Sequence, residues 1–420
     1  MLKKIAITFG SKVFVAITNL LSVVLISRYL GAEGKGQTSL IITGIAMVLL
    51  FSNMLGGATL VYFVPRYNLR KLLIVSYSWS FFVCLVCLFL FQSLNLVSPA
   101  ILYHVTVLSF VNALVSHHLS ILIGQERILE HNQVSFLQAF FNFSILGLLL
   151  YFHSEIGINA YLIALYASFL LSFLLSFYHV LKGKKLIFEG DFRTISSQML
   201  KIGASNQLGH ILKFTSFRLT YYLLAIISGE AAVGIFSNGV SLVESALIIT
   251  NSFAIVLYSK VSNSTNDAAN IKLTLNVLKV SFLLCVLALL PMVLLPDAFY
   301  VWLFGSEFAE VSKTILILAP GIAIYNVSLI VGHYFSGKGN YIIPSLANLA
   351  GLIATLLMLL IYLPEFTITQ IAMLSTVSYF ATTGFMLTAF IIKTKIPLFQ
   401  LLPDSSDMDY LRKRLKFRVS

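Results

Sequence analysis

The stretch "GAEGKG", residues 31–36, separates two apolar runs at roughly 5–27 and 38–63. Each run is long enough to cross about 30 Å of hydrocarbon, and the glycine-rich stretch between them marks a connection. The pattern returns downstream. A shift of 198 residues places Gly31 and Gly36 on Gly229 and Gly234 of "GEAAVG", residues 229–234. The same shift places Asn53 on Asn251, Ser39 on Ser237 and Lys12 on His210. With a different shift, "GQERIL" (124–129) falls on "GKGNYI" (337–342), and the stretch "PDAFYVWLFGSEFAE" (296–310) absorbs the change. The expectation is a chain built from two related halves.

Composition sets the class. Of 420 residues, 58% are hydrophobic and only 10% are charged. Apolar runs recur along the whole length as continuous segments, so the chain reads as an all-α polytopic membrane protein; a β-barrel would alternate instead. About twelve spans are expected by hydropathy, at 5–27, 38–63, 72–93, 100–123, 134–152, 160–181, 202–227, 234–257, 279–295, 314–335, 344–362 and 371–392. Lys3 and Lys4 precede the first run, which is too long for a signal core and reads as the first span. With the N-terminus inside, about 22 of the 28 Lys and Arg fall on the cytoplasmic side. Arg28, Lys35 and Lys313 fall outside, and Lys12, Lys213 and Arg218 fall within spans. The expected topology is therefore N-in/C-in, and the net charge of +12 needs no nucleic acid to explain it.

The expected organisation is a six-helix bundle over 1–181, a basic cytoplasmic linker over 182–201, a second six-helix bundle over 202–392 and a basic cytoplasmic tail over 393–420. Both halves begin inside, so the repeat is parallel, and transporters of that kind bind substrate between their halves. The tail has two readings. It is a short amphipathic helix meeting anionic lipid, or a frayed segment that enforces topology.

Several chemistries lack their signatures. No phosphate-binding loop and no H-E-x-x-H motif occurs, and no soluble catalytic domain or metal-ligand cluster is evident. No catalytic residue and no cofactor is expected. Cys84-x-x-Cys87 has zinc-like spacing without a second pair, and with Cys285 it reads as buried thiols. Glu307 and Glu310 read as a solvated amphipathic turn.

The segment "SNQLGHILKFTSFR", residues 205–218, is the anomaly. A Lys or Arg at the centre of a span costs roughly 2.5–3.5 kcal/mol on insertion scales. Lys213 and Arg218 should therefore face water or an acid. Asn206, His210, Lys213 and Phe217 fall on one helical stripe, with Arg218 beside it. Glu244 lies at a matching depth in the next span, so an Arg218–Glu244 pair is expected. That pair is read either as a structural tie between helices or as a titratable coupling element. Lys12 snorkels to the cytoplasmic surface or, with His210, Lys213 and Arg218, lines a basic cavity suited to phosphate. The asparagines within spans, with Asn53 and Asn251 as a repeat-related pair, read as helix-to-helix hydrogen bonders. His117 and His118 read as interfacial.

The stretches "SRYLGAEGKGQTSLI" (27–41), "FRLTYYLLAIISGEAAVGIFSNGVSLVE" (217–244), "YVWLFGSEFAEVSKTILILAPG" (300–321) and "GKGNYIIPSLANL" (337–349) resemble bacterial polysaccharide and O-antigen flippases of the Wzx type. These belong to the multidrug/oligosaccharidyl-lipid/polysaccharide (MOP) exporter superfamily. The resemblance implies two pseudo-symmetric six-helix bundles of the MATE kind around a central cavity. It implies alternating-access translocation of undecaprenyl-pyrophosphate-linked oligosaccharide across the bacterial inner membrane, for lipopolysaccharide or capsule biosynthesis, coupled to protons or sodium. The implied partners are the lipid-linked oligosaccharide, membrane lipids and other polysaccharide-assembly membrane proteins. Two other classes stay open: an ion-coupled exporter of small amphipathic compounds, and an integral-membrane glycan polymerase or transferase.

Overall fold

A computed structural model describes residues 2–94, 98–182, 191–362 and 367–401. The described residues form helices and short 3-10 turns, with no strand among them. Ten helical segments among them are long and apolar enough to cross a membrane. Two of these hold more than one crossing. α1 (Leu2–Ser52) has 51 residues and would extend about 76 Å as a straight rod at 1.5 Å per residue. That is more than twice a hydrocarbon core of about 30 Å. It breaks at Gly31, where φ is 67° and ψ is −170°. α7 (Phe192–Ser245) breaks at Gly229, where φ is 83° and ψ is 174°. A residue with a Cβ is strained in that backbone region, so glycine decides where each helix turns. Counting each as two brings the described spans to twelve, a polytopic all-helical membrane fold.

The remaining helices are α2 (Gly57–Phe63), α3 (Leu69–Ser93), α4 (Pro99–Gly124), α5 (Ile128–Phe152), α6 (Ile158–Leu181), α8 (Leu247–Ser262), α9 (Asp267–Leu294), α10 (Asp297–Phe304), α11 (Val311–Gly337), α12 (Ile342–Tyr362) and α13 (Ile368–Thr394). Some start earlier than hydropathy alone places them. α7 begins at Phe192 rather than near 202, because the Asp191 carboxylate accepts from the Thr194 N–H at 3.3 Å. α9 begins at Asp267 rather than 279, because the Asn266 side chain caps it by accepting from Ala269 N–H at 3.0 Å. Capping side chains satisfy first-turn donors and let a helix run into polar sequence. Linker residues 183–190 and tail residues 402–420 lie outside the described residues, and with them the readings of those segments.

The repeat is visible in backbone geometry. Gly31 and Gly229, 198 apart, share one unusual conformation. Asn68 and Asn266, also 198 apart, both cap the N-terminus of a helix with the side chain. Beyond residue 310 the shift becomes 213, which pairs the helix ends Gly124 and Gly337 and the positive-φ residues Glu126 (59°) and Gly339 (75°). A methyl built on Gly124 would lie 3.1 Å from the Val61 carbonyl oxygen, and one on Gly337 3.2 Å from that of Tyr258. α10, Gly305 and the 3-10 turn Ser306–Phe308 account for twelve of the fifteen extra residues, within the stretch that was expected to absorb the change.

Two compact units emerge. One holds Met1–Phe214, Tyr221–Ile235 and Val301–Phe308, so it draws on both halves of the sequence. Within it α4 packs against α1, α2, α3 and α6. The second helix of α1 runs antiparallel to the first part of α7. Gly36 abuts the Glu230 backbone, Gly44 lies near the Tyr222 hydroxyl, Gln207 Nε2 donates to the Leu50 carbonyl at 3.2 Å, and Gly203 abuts the Met54 carbonyl. The turns themselves meet reciprocally. A methyl on Gly36 would overlap the Glu230 carbonyl, and one on Gly234 would overlap the Ala32 carbonyl. Ala32 and Glu230 are themselves 198 apart, so one contact is made twice by equivalent residues.

The second unit holds Thr215–Thr220, Phe236–Tyr300 and Ala309–Ser420. α11 is central, packed on α8, α9 and α13. Asn326, fully buried, donates to Thr250 Oγ1 and accepts from Ser281 Oγ at 3.1 Å, tying α11 to α8 and α9. This is the helix-to-helix role expected of span asparagines.

Candidate functional site

The polar segment of α7 is built on an unbroken helix, so its depth can be read along the axis. At about 1.5 Å per residue, Arg218 lies about 16 Å from Gly229 and Lys213 about 24 Å. His210 lies about 28 Å from Gly229, and Lys12 about 28 Å from Gly31. Across a core of about 30 Å only Arg218 falls at mid-depth. Lys12 and His210 fall one membrane thickness from their turns, and both are exposed. Lys213 is half-buried. The side chain of Asn206 lies outside the described set.

The structure brings Arg218 and Glu244 together. Arg218 Nη2 donates to Glu244 Oε2 at 2.9 Å, with 27% and 28% of the two side chains exposed. The turn of α7 that carries Arg218 is anchored on both sides. Ser216 Oγ lies 2.8 Å from Ser378 Oγ. Phe217 meets Tyr325 and Tyr379 edge-on, at 5.1 and 4.8 Å between ring centroids. These contacts hold the backbone beneath the guanidinium, so Arg218 is positioned and not merely tolerated. Pairing also removes most of the reason for Arg218 to avoid lipid, because its charge is met inside the bundle.

Asn53 and Asn251 occupy different surroundings. Asn53 Oδ1 accepts from Ser116 Oγ at 3.1 Å, and Asn251 is exposed on α8.

At three places the structure shows contacts that the sequence reading did not anticipate. His117 and His118 are fully buried, not interfacial. His117 Nε2 lies 2.6 Å from Ser80 Oγ, and His118 bonds Tyr77 and lies 2.8 Å from Ser176 Oγ. The polar partners one or two turns apart on α3 and α6 bury a pair that hydropathy assigns to a helix end. Lys35, expected in an external connection, is also buried, and its Nζ donates to Ser39 Oγ at 2.7 Å. Glu307 is an exposed residue of the 3-10 turn Ser306–Phe308, as expected, but it is also bonded. Its Oε2 accepts from the Ala32 N–H at 2.6 Å. No local pattern announces that bond, because it joins residues 275 apart. Among the described residues no group of three or more His, Cys, Asp or Glu could hold a metal ion.

No family model matches the sequence, and no curated protein does. Solved structures do. A multidrug-resistance MATE family transporter of the MOP superfamily in an inward-facing conformation superposes with a TM-score of 0.69 at 11% identity, covering 91% of this chain and 94% of that one. The lipid II flippase MurJ, inward closed, gives 0.68 at 14% identity, covering 94% and 88%. A Vibrio cholerae MATE transporter gives 0.63 at 12%, covering 95% and 98%. At such identity the likeness speaks for the fold. The chain has the MATE- and MurJ-like polytopic membrane fold, and it is a multi-pass membrane protein.

Proposed function

We propose that this chain is a non-enzymatic transporter of the MOP type, and within that class a flippase for undecaprenyl-pyrophosphate-linked oligosaccharide in the inner membrane of a bacterium. The observation that carries the reading is a guanidinium at mid-depth of a span, held by one carboxylate on a backbone fixed by aromatic and hydroxyl contacts. Guanidinium reads carboxylate and phosphate with the same forked geometry. A pyrophosphate can therefore take the place of Glu244 on Arg218, with Lys213, His210 and Lys12 as further cations along the way. Glu244, once displaced, becomes a carboxylate within a span that can take up a proton or sodium ion. That exchange is the proposed coupling step. The two sequence halves, 1–181 and 202–392, are proposed as the moving bundles, with N-in/C-in topology. The likeness to MurJ, a lipid II flippase, supports a lipid-linked substrate by analogy.

The likeness to multidrug MATE transporters favours a second reading, export of small amphipathic compounds. Reconstitution separates the two. Purified protein is placed in liposomes with undecaprenyl-pyrophosphate oligosaccharide, and an impermeant glycosidase probes which leaflet holds the glycan. Protein-dependent transfer that fails in Arg218→Ala and Lys213→Ala supports the flippase. No transfer under proton or sodium gradients, with efflux of a dye such as ethidium, supports the exporter.

A further inference from the structure

The two glycine turns are equivalent in backbone and unequal in surroundings. A Cβ added at Gly229 would meet nothing within 4 Å. One added at Gly31 would meet the Glu307 carboxylate, with Oε2 at 2.9 Å and Oε1 at 3.2 Å. The difference comes from the fifteen residues that the second half carries and the first lacks. Their covering segment, Val301–Phe308, clusters with residues of the first unit, while Asp297–Tyr300 at the start of the same helix clusters with the second.

The attachment is built from specific bonds. Glu307 Oε2 accepts the Ala32 N–H, an open donor at the start of the helix that follows Gly31, where a carboxylate also complements the helix dipole. Arg28, in the last turn before Gly31, donates from Nε to the Leu303 carbonyl at 3.0 Å and from Nη2 to the Trp302 carbonyl. The same guanidinium lies 5.9 Å from the Trp302 ring. Phe304 and Phe308, both fully buried, pack 5.9 Å apart beneath these bonds. The bonding groups on Arg28 and Glu307 are exposed residues at the surface of this seal, and the aromatic pair is its floor. Polar bonds at an exposed rim break at small cost compared with a packed core, which suits a contact that must open and close.

We propose that α10 and the turn Ser306–Phe308 form a latch on the Gly31 turn, closed in this structure by Glu307 on the Ala32 N–H and by Arg28 on the Trp302 and Leu303 carbonyls. Opening the transport path on this face requires both to let go. The proposal rests on the reading of the chain as a transporter, and its test uses no substrate.

The natural cysteines Cys84, Cys87 and Cys285 are replaced by Ala, and Ala32→Cys is introduced. Ala32 is 2% exposed beneath the Glu307 carboxylate. Labelling by a bulky water-soluble maleimide is timed in proteoliposomes. Adding Arg28→Ala with Glu307→Gln should raise the labelling rate about tenfold or more, since two charge-assisted attachments are lost. A second measurement uses spin labels at Glu33→Cys and Ser306→Cys, both exposed sites of the first unit on either side of the contact. The latched protein should give one narrow distance distribution, and the Arg28→Ala/Glu307→Gln protein a second, longer population. An unchanged labelling rate with an unchanged distribution overturns the latch. So does a lower melting temperature with neither readout moved, which would mark the contact as a fixed brace. If the latch behaves as expected while glycan transfer fails, the substrate assignment falls and the latch stands.

Discussion

Arg218 shows how a single charge is kept in a membrane span. Its cost is met by Glu244, and removing one partner leaves the other without its counterion. Glu244→Gln should lower the melting temperature in detergent by the equivalent of about 1–3 kcal/mol, below the cost for a fully buried pair because each side chain is about a quarter exposed. Arg218→Leu with Glu244→Leu should recover much of that loss while abolishing transport. Additive losses in the double variant would show that the two residues do not act as a pair. The glycines make a second residue-scale case. Gly36→Ala and Gly234→Ala each drive a methyl into a backbone carbonyl, so both should destabilise by about 1–3 kcal/mol, and by similar amounts. Detergent melting curves of the two variants test the equality. The Arg218–Glu244 contact was legible in the sequence because each residue lies about ten residues from the outer end of its hydropathy span, although from Gly229 itself they are 11 and 15 residues away. The Glu307–Ala32 bond was not, because it depends on where a distant loop lands.

At the scale of elements, caps and turns explain most departures from hydropathy. Apolar windows find the part of a helix that lies in lipid, and α7 and α9 both begin earlier, in polar sequence held by Asp191 and Asn266. Glycine spacing located both turns, since only glycine accepts their backbone angles without strain. Asn68 and Asn266 cap equivalent helices, α3 and α9, by side-chain acceptance from backbone N–H groups. Asn68→Ala and Asn266→Ala should each cost about 1 kcal/mol, and amide exchange should quicken in the first turns of α3 and α9 alone. Exchange that quickens across whole helices would mean the caps matter to packing and not only to helix ends. The buried pair His117 and His118 reads as interfacial in the sequence for the opposite reason. Their partners Tyr77, Ser80 and Ser176 lie on other helices, and hydropathy treats an imidazole in a polar niche as an end marker.

At the scale of the molecule, one compact unit takes residues from both sequence halves, because the second helix of α1 lies along the first part of α7. A chain cut within 183–190 should therefore yield two fragments that co-purify when expressed together. Neither should give a monodisperse species alone. Independent folding of the first fragment would show that the α1–α7 contact is dispensable. The reciprocal glycine contact carries a further meaning. Gly36 meets the carbonyl of Glu230, and Gly234 meets that of Ala32, the position equivalent to Glu230. A surface that touches its own equivalent is the signature of two-fold self-association. A half-length ancestor bearing one such turn would have paired with a second copy of itself through it. Fusing two such copies would place both partners of that contact in one chain, and the α10 segment is one place where the two halves differ.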